Sequence, residues 1–404
     1  MKSPLASMKA TFQEKSSYVP LLASMALIGL SYGLYKGVID NYLAEIVSMG
    51  EFDRGVTEFF RELPGLLLVG ILAALYTFSA ETIYKIGAFV MIVGMALHGL
   101  IPPNRVWLTV VIFIYSIGEH IQLSLRTSLA LVYAKPQKGG AALGLLNAAN
   151  QIGTLAGFVV VIIAFLFISG AKAFRAFFFA ATVATALGAF ISLRMKGNSR
   201  ADENSHRFYF DRKFKKFYWL EVFYGARKQV FFTFGPYVLI LFYGASTAVI
   251  SLLFAVSAIC CFLASPLVGK IIDRLGYRVV MISDTLILVI VCFFYGFAHH
   301  IFPKDIAFLI CCVNYILDSV ISLASMASNV YVQDLSDDEE EIRATISTGV
   351  SVNHLITILI ALFGGWIWKV LGIETLFCLS AFLGLCNSAY AASIPCKKKE
   401  LTPK

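Results

Sequence analysis

Residues 247–269 read TAVISLLFAVSAICCFLASPLVG, a stretch with no charged side chain. A helix needs about 20 such residues to cross the hydrocarbon core of a bilayer. Similar runs recur along nearly the whole chain. Only 14% of residues are charged and 58% are hydrophobic, against about 25% and 45–50% in soluble domains. In hydrocarbon every backbone N–H and C=O must be bonded within the protein, which leaves helices or a closed barrel. Runs of this length, rather than strands of about 10 residues, select helices. Breaks at Gly, Pro and charge clusters place twelve spans near 19–47, 53–78, 82–101, 105–133, 139–168, 173–195, 214–243, 246–270, 278–299, 304–333, 341–368 and 373–395. The expected fold class is an all-α membrane protein with two pseudo-symmetric six-helix bundles.

The longest polar break is the basic segment 196–217, KGNSRADENSHRFYFDRKFKKF. It divides the chain into an N-terminal bundle, 1–195, a cytoplasmic linker, 196–217, and a C-terminal bundle, 218–404. With the N-terminus in the cytoplasm, twenty-two Lys and Arg fall on inner segments and six on outer ones. That bias places both termini inside a cytoplasmic membrane. The polar residues before the first span, and that span's length, argue against a cleavable signal, whose apolar core is roughly 7–15 residues. The net charge of +8 sets orientation and does not imply nucleic acid. The cysteines lie in the second half, seven within spans and Cys396 at the end of the last, without metal-ligand or disulfide spacing. There is no P-loop and no H-E-x-x-H. No enzyme activity, cofactor or metal is expected, and the anticipated partners are the lipid bilayer and a small solute, with the protein a monomer.

The two halves read as repeats. YGLYKGV, 32–38, and YGARKQV, 224–230, put Lys36 and Lys228 at the same step of spans 1 and 7. Gly70 and Gly269, and Glu119 and Asp318, keep a common offset. Parallel repeats of this kind relate halves by an axis along the membrane normal. At the inner end of span 8 stands GKIIDRLGYR, 269–278. It is similar to the G-x-x-x-D-R-x-G-x-R signature of the major facilitator superfamily, and with six plus six spans the resemblance covers the whole chain. It implies that Gly269, Asp273, Arg274, Gly276 and Arg278 form a cytoplasmic gate, with Asp273 meeting the start of span 5 near Lys138 and Gly139. Gly269 would permit close helix approach and Gly276 a tight turn. In the first-half copy Ala74 stands where the aspartate would be. Span 5 lacks the antiporter proline, but Gly153 and Gly157 offer a small-residue packing face.

A charge at bilayer depth costs about 2.5–3.5 kcal/mol or more, so it should face a cavity or a partner. Lys36, Asp40, Glu119, His120, Arg227, Lys228 and Asp318 all fall mid-span on spans 1, 4, 7 and 10, the helices that line the central path in the superfamily. The resemblance therefore implies Lys36 and Lys228 on opposite walls of one cavity, with Asp40 and Arg227 beside them as solute contacts. Superfamily members that carry organophosphates are similar in using a cationic pair on helices 1 and 7. The alternative is internal pairing, Lys36 with Asp40 or Glu119 and Lys228 with Asp318. Glu119, His120 and Asp318 are the candidates for proton coupling or counter-ions. In span 2 Arg61 and Glu62 form a polar pair before Pro64, and Arg61 is expected to meet Asp40 or Glu45. DLSDDEEE, 334–341, reads as a solvated cap of span 11, and His299 and His300 as an outer loop.

These features point to a secondary active transporter of a small organic anion or zwitterion, working by alternating access and open to proton coupling. A drug–proton effluxer is the variant within transport. The reading from another class is a non-transporting membrane sensor or assembly partner that kept the fold.

Overall fold

A computed structural model describes residues 10–13, 18–75, 77–196 and 209–394. The helices are α1 Tyr18–Asn41, continued by a π-helical turn Tyr42–Ile46, α2 Glu51–Ala74, α3 Ala80–Leu100, α4 Arg105–Tyr133, α5 Gly139–Phe165 and α6 Ala171–Ser192. After the linker come α7 Lys215–Tyr243, α8 Thr247–Leu275, α9 Tyr277–Ile301, α10 Lys304–Ile321, α11 Met326–Leu335, α12 Glu339–Leu371 and α13 Ile373–Ala392. Each of the twelve expected spans has its helix. The tenth is divided, with a 3-10 turn, Ser322–Ser325, between α10 and α11. The protein is a multi-pass, twelve-span all-α membrane protein. Residues 197–208 of the linker, and Cys396, lie outside the described residues.

Among the described residues, ten helical segments are long and apolar enough to cross a membrane by themselves. The two that are not are α2 and α7. α2 carries Glu51, Asp53, Arg54, Glu58, Arg61 and Glu62, and α7 carries Glu221, Arg227 and Lys228. Both continue through a proline, Pro64 and Pro236, which a membrane helix tolerates when neighbours re-satisfy the freed carbonyls.

The chain forms two compact units. One holds α1–α6 with residues 236–255; the other holds residues 206–235 and 256–404. In the first unit, backbone approach organises the packing. A Cβ on Gly157 would stand 2.6 Å from the Leu30 carbonyl oxygen, and one on Gly153 would strike the Ala26 carbonyl. On the facing side Gly29 and Gly33 meet the carbonyls of Asn150 and Thr154. So α1 and α5 pack backbone to backbone, as small residues allow where lipid offers no hydrophobic driving force. Ser31 Oγ adds hydrogen bonds to Ala181 O, 2.8 Å, and Thr185 Oγ1, 2.6 Å, tying α1 to α6. In the second unit Phe231 packs edge to face on Tyr295 and Phe377, which are tilted against each other, with centroids 4.8–5.2 Å apart, and Tyr295 Oη donates to Gly235 O at 2.8 Å. Large apolar side chains turn outward, such as Ile152 at 69% and Phe262 at 70% exposure, while Arg54, Glu58 and Arg227 are buried. That inversion of the soluble pattern suits a lipid surround.

Gly276 has φ +85° and its N–H bonds Ile272 O at 2.8 Å, closing α8 and turning the chain into α9. Asp273 and Arg274 are exposed beside it, and Arg278 lies in the first turn of α9. A Cβ on Gly269 would meet nothing within 4 Å, so within its unit this glycine is not a close-approach point. The solvated cap also takes form: Asp338 accepts from the Glu341 N–H at 2.8 Å at the start of α12.

Candidate functional site

In the first unit a continuous chain of charges crosses α1, α2 and α4. Lys36 and Asp40 stand one turn apart on α1, and their side chains meet at 2.7 Å. Arg54 reaches the other oxygen of Asp40 at 3.3 Å and bonds Glu58 at 2.8 Å. Glu58 is then gripped by Arg61 through Nε, 2.9 Å, and Nη2, 2.6 Å, the forked geometry that suits guanidinium and carboxylate. Arg61 also pairs with Glu62, and its Nη1 lies 3.8 Å from Glu119 of α4. Tyr115 Oη donates to Glu119 at 3.4 Å. The chain is nearly dry: Asp40 and Arg54 are 2% and 4% exposed, and Glu58 is 0%. Lys36, at 13%, and Arg61, at 20%, are the more open cations.

The spacing explains why α2 supplies so much of this. Positions 54, 58, 61 and 62 follow at four and three residues and so share one helix face. The expected partners of Arg61 are corrected by this geometry. Arg54 occupies Asp40, and Glu45 is bonded by Asn41 Nδ2 at 2.7 Å; Arg61, two turns along α2, takes Glu58, Glu62 and Glu119. Arg54 and Glu58 lie in the first turns of the expected span 53–78 but were not among the charges singled out by sequence.

Four carboxylates, Asp40, Glu58, Glu62 and Glu119, face three bases, Lys36, Arg54 and Arg61. Counted as ionised, the group has one more carboxylate than strong base among the described residues. His120 sits next to it. Its Nδ1 lies 2.9 Å from Ser116 O and 3.0 Å from Ser116 Oγ. Above Lys36 the ring of Phe254 lies 4.9 Å from Nζ, a cation–π distance.

The second unit has its own group. Arg227, 1% exposed, donates to Asp284 of α9 at 2.5 Å, and its guanidinium lies over the Tyr224 ring at 4.7 Å. The fork expected to face solute is thus spent on a carboxylate that the sequence reading passed over. Lys228 is exposed and, among the described residues, makes no ion pair within 4.0 Å; it acts on Asp318 through its charge without contacting it. Asp318 is buried near the end of α10, just before the 3-10 turn. Glu221, one turn and a half before Arg227, accepts from Ser328 at 3.0 Å and Asn353 at 3.3 Å. Glu221, Asp284, Ser325, Ser328 and Asn387 line one small cleft, and Asn387 Oδ1 has no hydrogen-bond partner among the described residues.

Residues 217–402 match the family model of the Major Facilitator Superfamily. No curated protein matches the chain by sequence. Solved structures share the fold across it. A mutant of the nucleoside transporter NupG aligns with TM-score 0.74 and 16% identity, over 94% of this chain and 100% of that one. A POT family transporter in complex with 5-aminolevulinic acid aligns at 0.72 and 12%, over 93% and 94%. A D-xylose–proton symporter aligns at 0.68 and 16%, over 94% and 98%.

Proposed function

We propose, from the match of residues 217–402 to the Major Facilitator Superfamily model and from the shared fold, that the chain is a secondary active transporter of that superfamily, taking a small zwitterion, or failing that an organic anion, across the cytoplasmic membrane. Alternating access moves the solute, with both termini in the cytoplasm. The observation that carries the solute class is the Lys36–Asp40 pair at 2.7 Å. An ammonium already matched to a carboxylate complements a solute that brings both signs: its carboxylate replaces Asp40 at Lys36, and its ammonium replaces Lys36 at Asp40. A plain anion would meet Lys36 inside a group with excess acid. Lys228, exposed and without an ion pair among the described residues, is the second solute contact. Arg227 holds Asp284 and acts as a positioning residue.

The unmatched negative charge supports proton coupling, with Glu119 and His120 in one unit and Asp318 in the other as the exchanging groups. One proton on the group restores neutrality, which lowers the cost of a buried charge. The test is uptake into proteoliposomes under an imposed pH gradient, across zwitterions, anions, cations and neutral sugars. A zwitterion should accumulate, and Lys36→Ala, Asp40→Asn and Lys228→Gln should each lower uptake at least tenfold. Uptake of a neutral sugar by wild type and all three variants alike would sink the solute class. Folded protein that moves nothing in the panel would favour the sensor reading.

A further inference from the structure

The histidines at 299 and 300 do not lie in a loop. They occupy the last turn of α9, facing the first turn of α13, where Glu374 stands. His300 Nε2 is 2.7 Å from Glu374 Oε1, and His299 Nε2 is 3.3 Å from the same oxygen. One donor atom of each residue lies within 4.8 Å of those of the other two, and the two imidazole rings stand 3.9 Å apart. We propose that His299, His300 and Glu374 form a binding site for a divalent transition-metal ion, zinc by its donor set.

Two imidazoles and one carboxylate are a zinc donor set that leaves a fourth position open. With metal–ligand bonds of about 2.0–2.1 Å, tetrahedral donors stand roughly 3.3 Å apart. The two histidine–carboxylate spacings, 3.3 and 2.7 Å, lie near that value, and all three donors lie within 4.8 Å of one another. The site suits a cation for a second reason. Both histidines sit at the C-terminal, negative end of the α9 dipole. His300 is 58% exposed, which gives an ion a route in and a water the fourth position. All three residues belong to one unit of the chain, and none is among the solute or proton groups proposed above, so the site stands or falls independently of the transport reading. A bound ion would fasten the end of α9 to the start of α13.

The experiment uses the full chain, purified in detergent without a polyhistidine tag and stripped with a chelator. Cobalt(II) is titrated while its visible d–d absorption is followed, and zinc is then used to displace it. The expected result is one equivalent of cobalt, a band of tetrahedral or five-coordinate intensity without thiolate charge transfer, and displacement by zinc but not by magnesium. His300→Ala and Glu374→Gln should each weaken binding at least tenfold, whereas His120→Gln should leave it unchanged. Because His300 is exposed, its variant is expected to fold, and the thermal transition of each variant checks that. Absence of one-equivalent binding, or binding unchanged in both His300→Ala and Glu374→Gln, would overturn the site.

Discussion

Arg54→Gln should be the most damaging single change in the charge chain, even though Arg54 was invisible as a site residue in the sequence. Removing one partner of a buried ion pair costs about 3–5 kcal/mol, because a buried charge is left uncompensated. Here both carboxylates keep another cation: Asp40 keeps Lys36 at 2.7 Å, and Glu58 keeps the Arg61 fork. The cost should therefore fall at the low end, about 3 kcal/mol, a shift of roughly two orders of magnitude in the unfolding equilibrium. The substitution also moves the group from one excess negative charge to two. Glu58→Gln does the opposite and brings three acids against three bases, so it should cost less although Glu58 is 0% exposed. The double variant restores the original excess. The two changes should then couple by about 0.5–3 kcal/mol, less than additive in damage. The assay is a double-mutant cycle on reversible unfolding in mixed detergent micelles, read by tryptophan fluorescence. If the two effects add to within about 0.5 kcal/mol, or if Glu58→Gln is the more harmful single change, the charge accounting is wrong.

Gly153→Leu places a side chain against the Ala26 carbonyl and should destabilise by about 1–3 kcal/mol or more, with Ile152→Leu, exposed toward lipid, as the neutral control in the same melts. Lys228→Gln should leave the melting transition within about ±0.5 kcal/mol of wild type, as surface changes do, while lowering uptake; a large loss of stability would mean that Lys228 is a structural partner. Outside the membrane, Lys213 lies 2.7 Å from both Asp337 and Glu341, and Tyr209 Oη donates to Glu341 at 2.7 Å. The hydrogen bond from Lys213 holds the Glu341 carboxyl below its ordinary range, and the one to Glu341 pushes the Tyr209 phenol up to about 12. A lowered carboxyl pKa contributes above its ordinary value, about 4.3, and that contribution is lost as pH falls through the lowered one. A spin label at Arg212→Cys should therefore stay immobile through neutral pH and loosen only below about pH 4, whereas Glu341→Gln should loosen it at neutral pH; a transition centred near neutrality would contradict this.

The spans were legible because each answers to a local quantity, the length of an apolar run between breaks, and a bilayer fixes that length from outside the protein. The site was legible only where both partners lie within one turn. Lys36 and Asp40 stand at four residues' spacing, and of the two internal partners the sequence left open for Lys36, Asp40 or Glu119, it is Asp40 that it meets. Arg54 was passed over because it stands one residue inside the span that begins at 53, where charge reads as the membrane-surface end of a helix, although 54, 58, 61 and 62 repeat at helical spacing and mark a polar stripe along α2. Asp284 had a signal too, a lone carboxylate within the apolar run 279–299, which intramembrane cost alone should flag. What no local rule supplies is the choice of partner. Arg227 meets Asp284 across 57 positions, and Lys228, its neighbour in sequence, points elsewhere, because adjacent residues on a helix are turned about 100° apart. A buried charge must find a counter-charge, but which helix provides it is decided by packing. In this chain that packing is set by glycines 29, 33, 153 and 157, which bring α1 against α5 and so fix the face of α1 on which Lys36 and Asp40 stand.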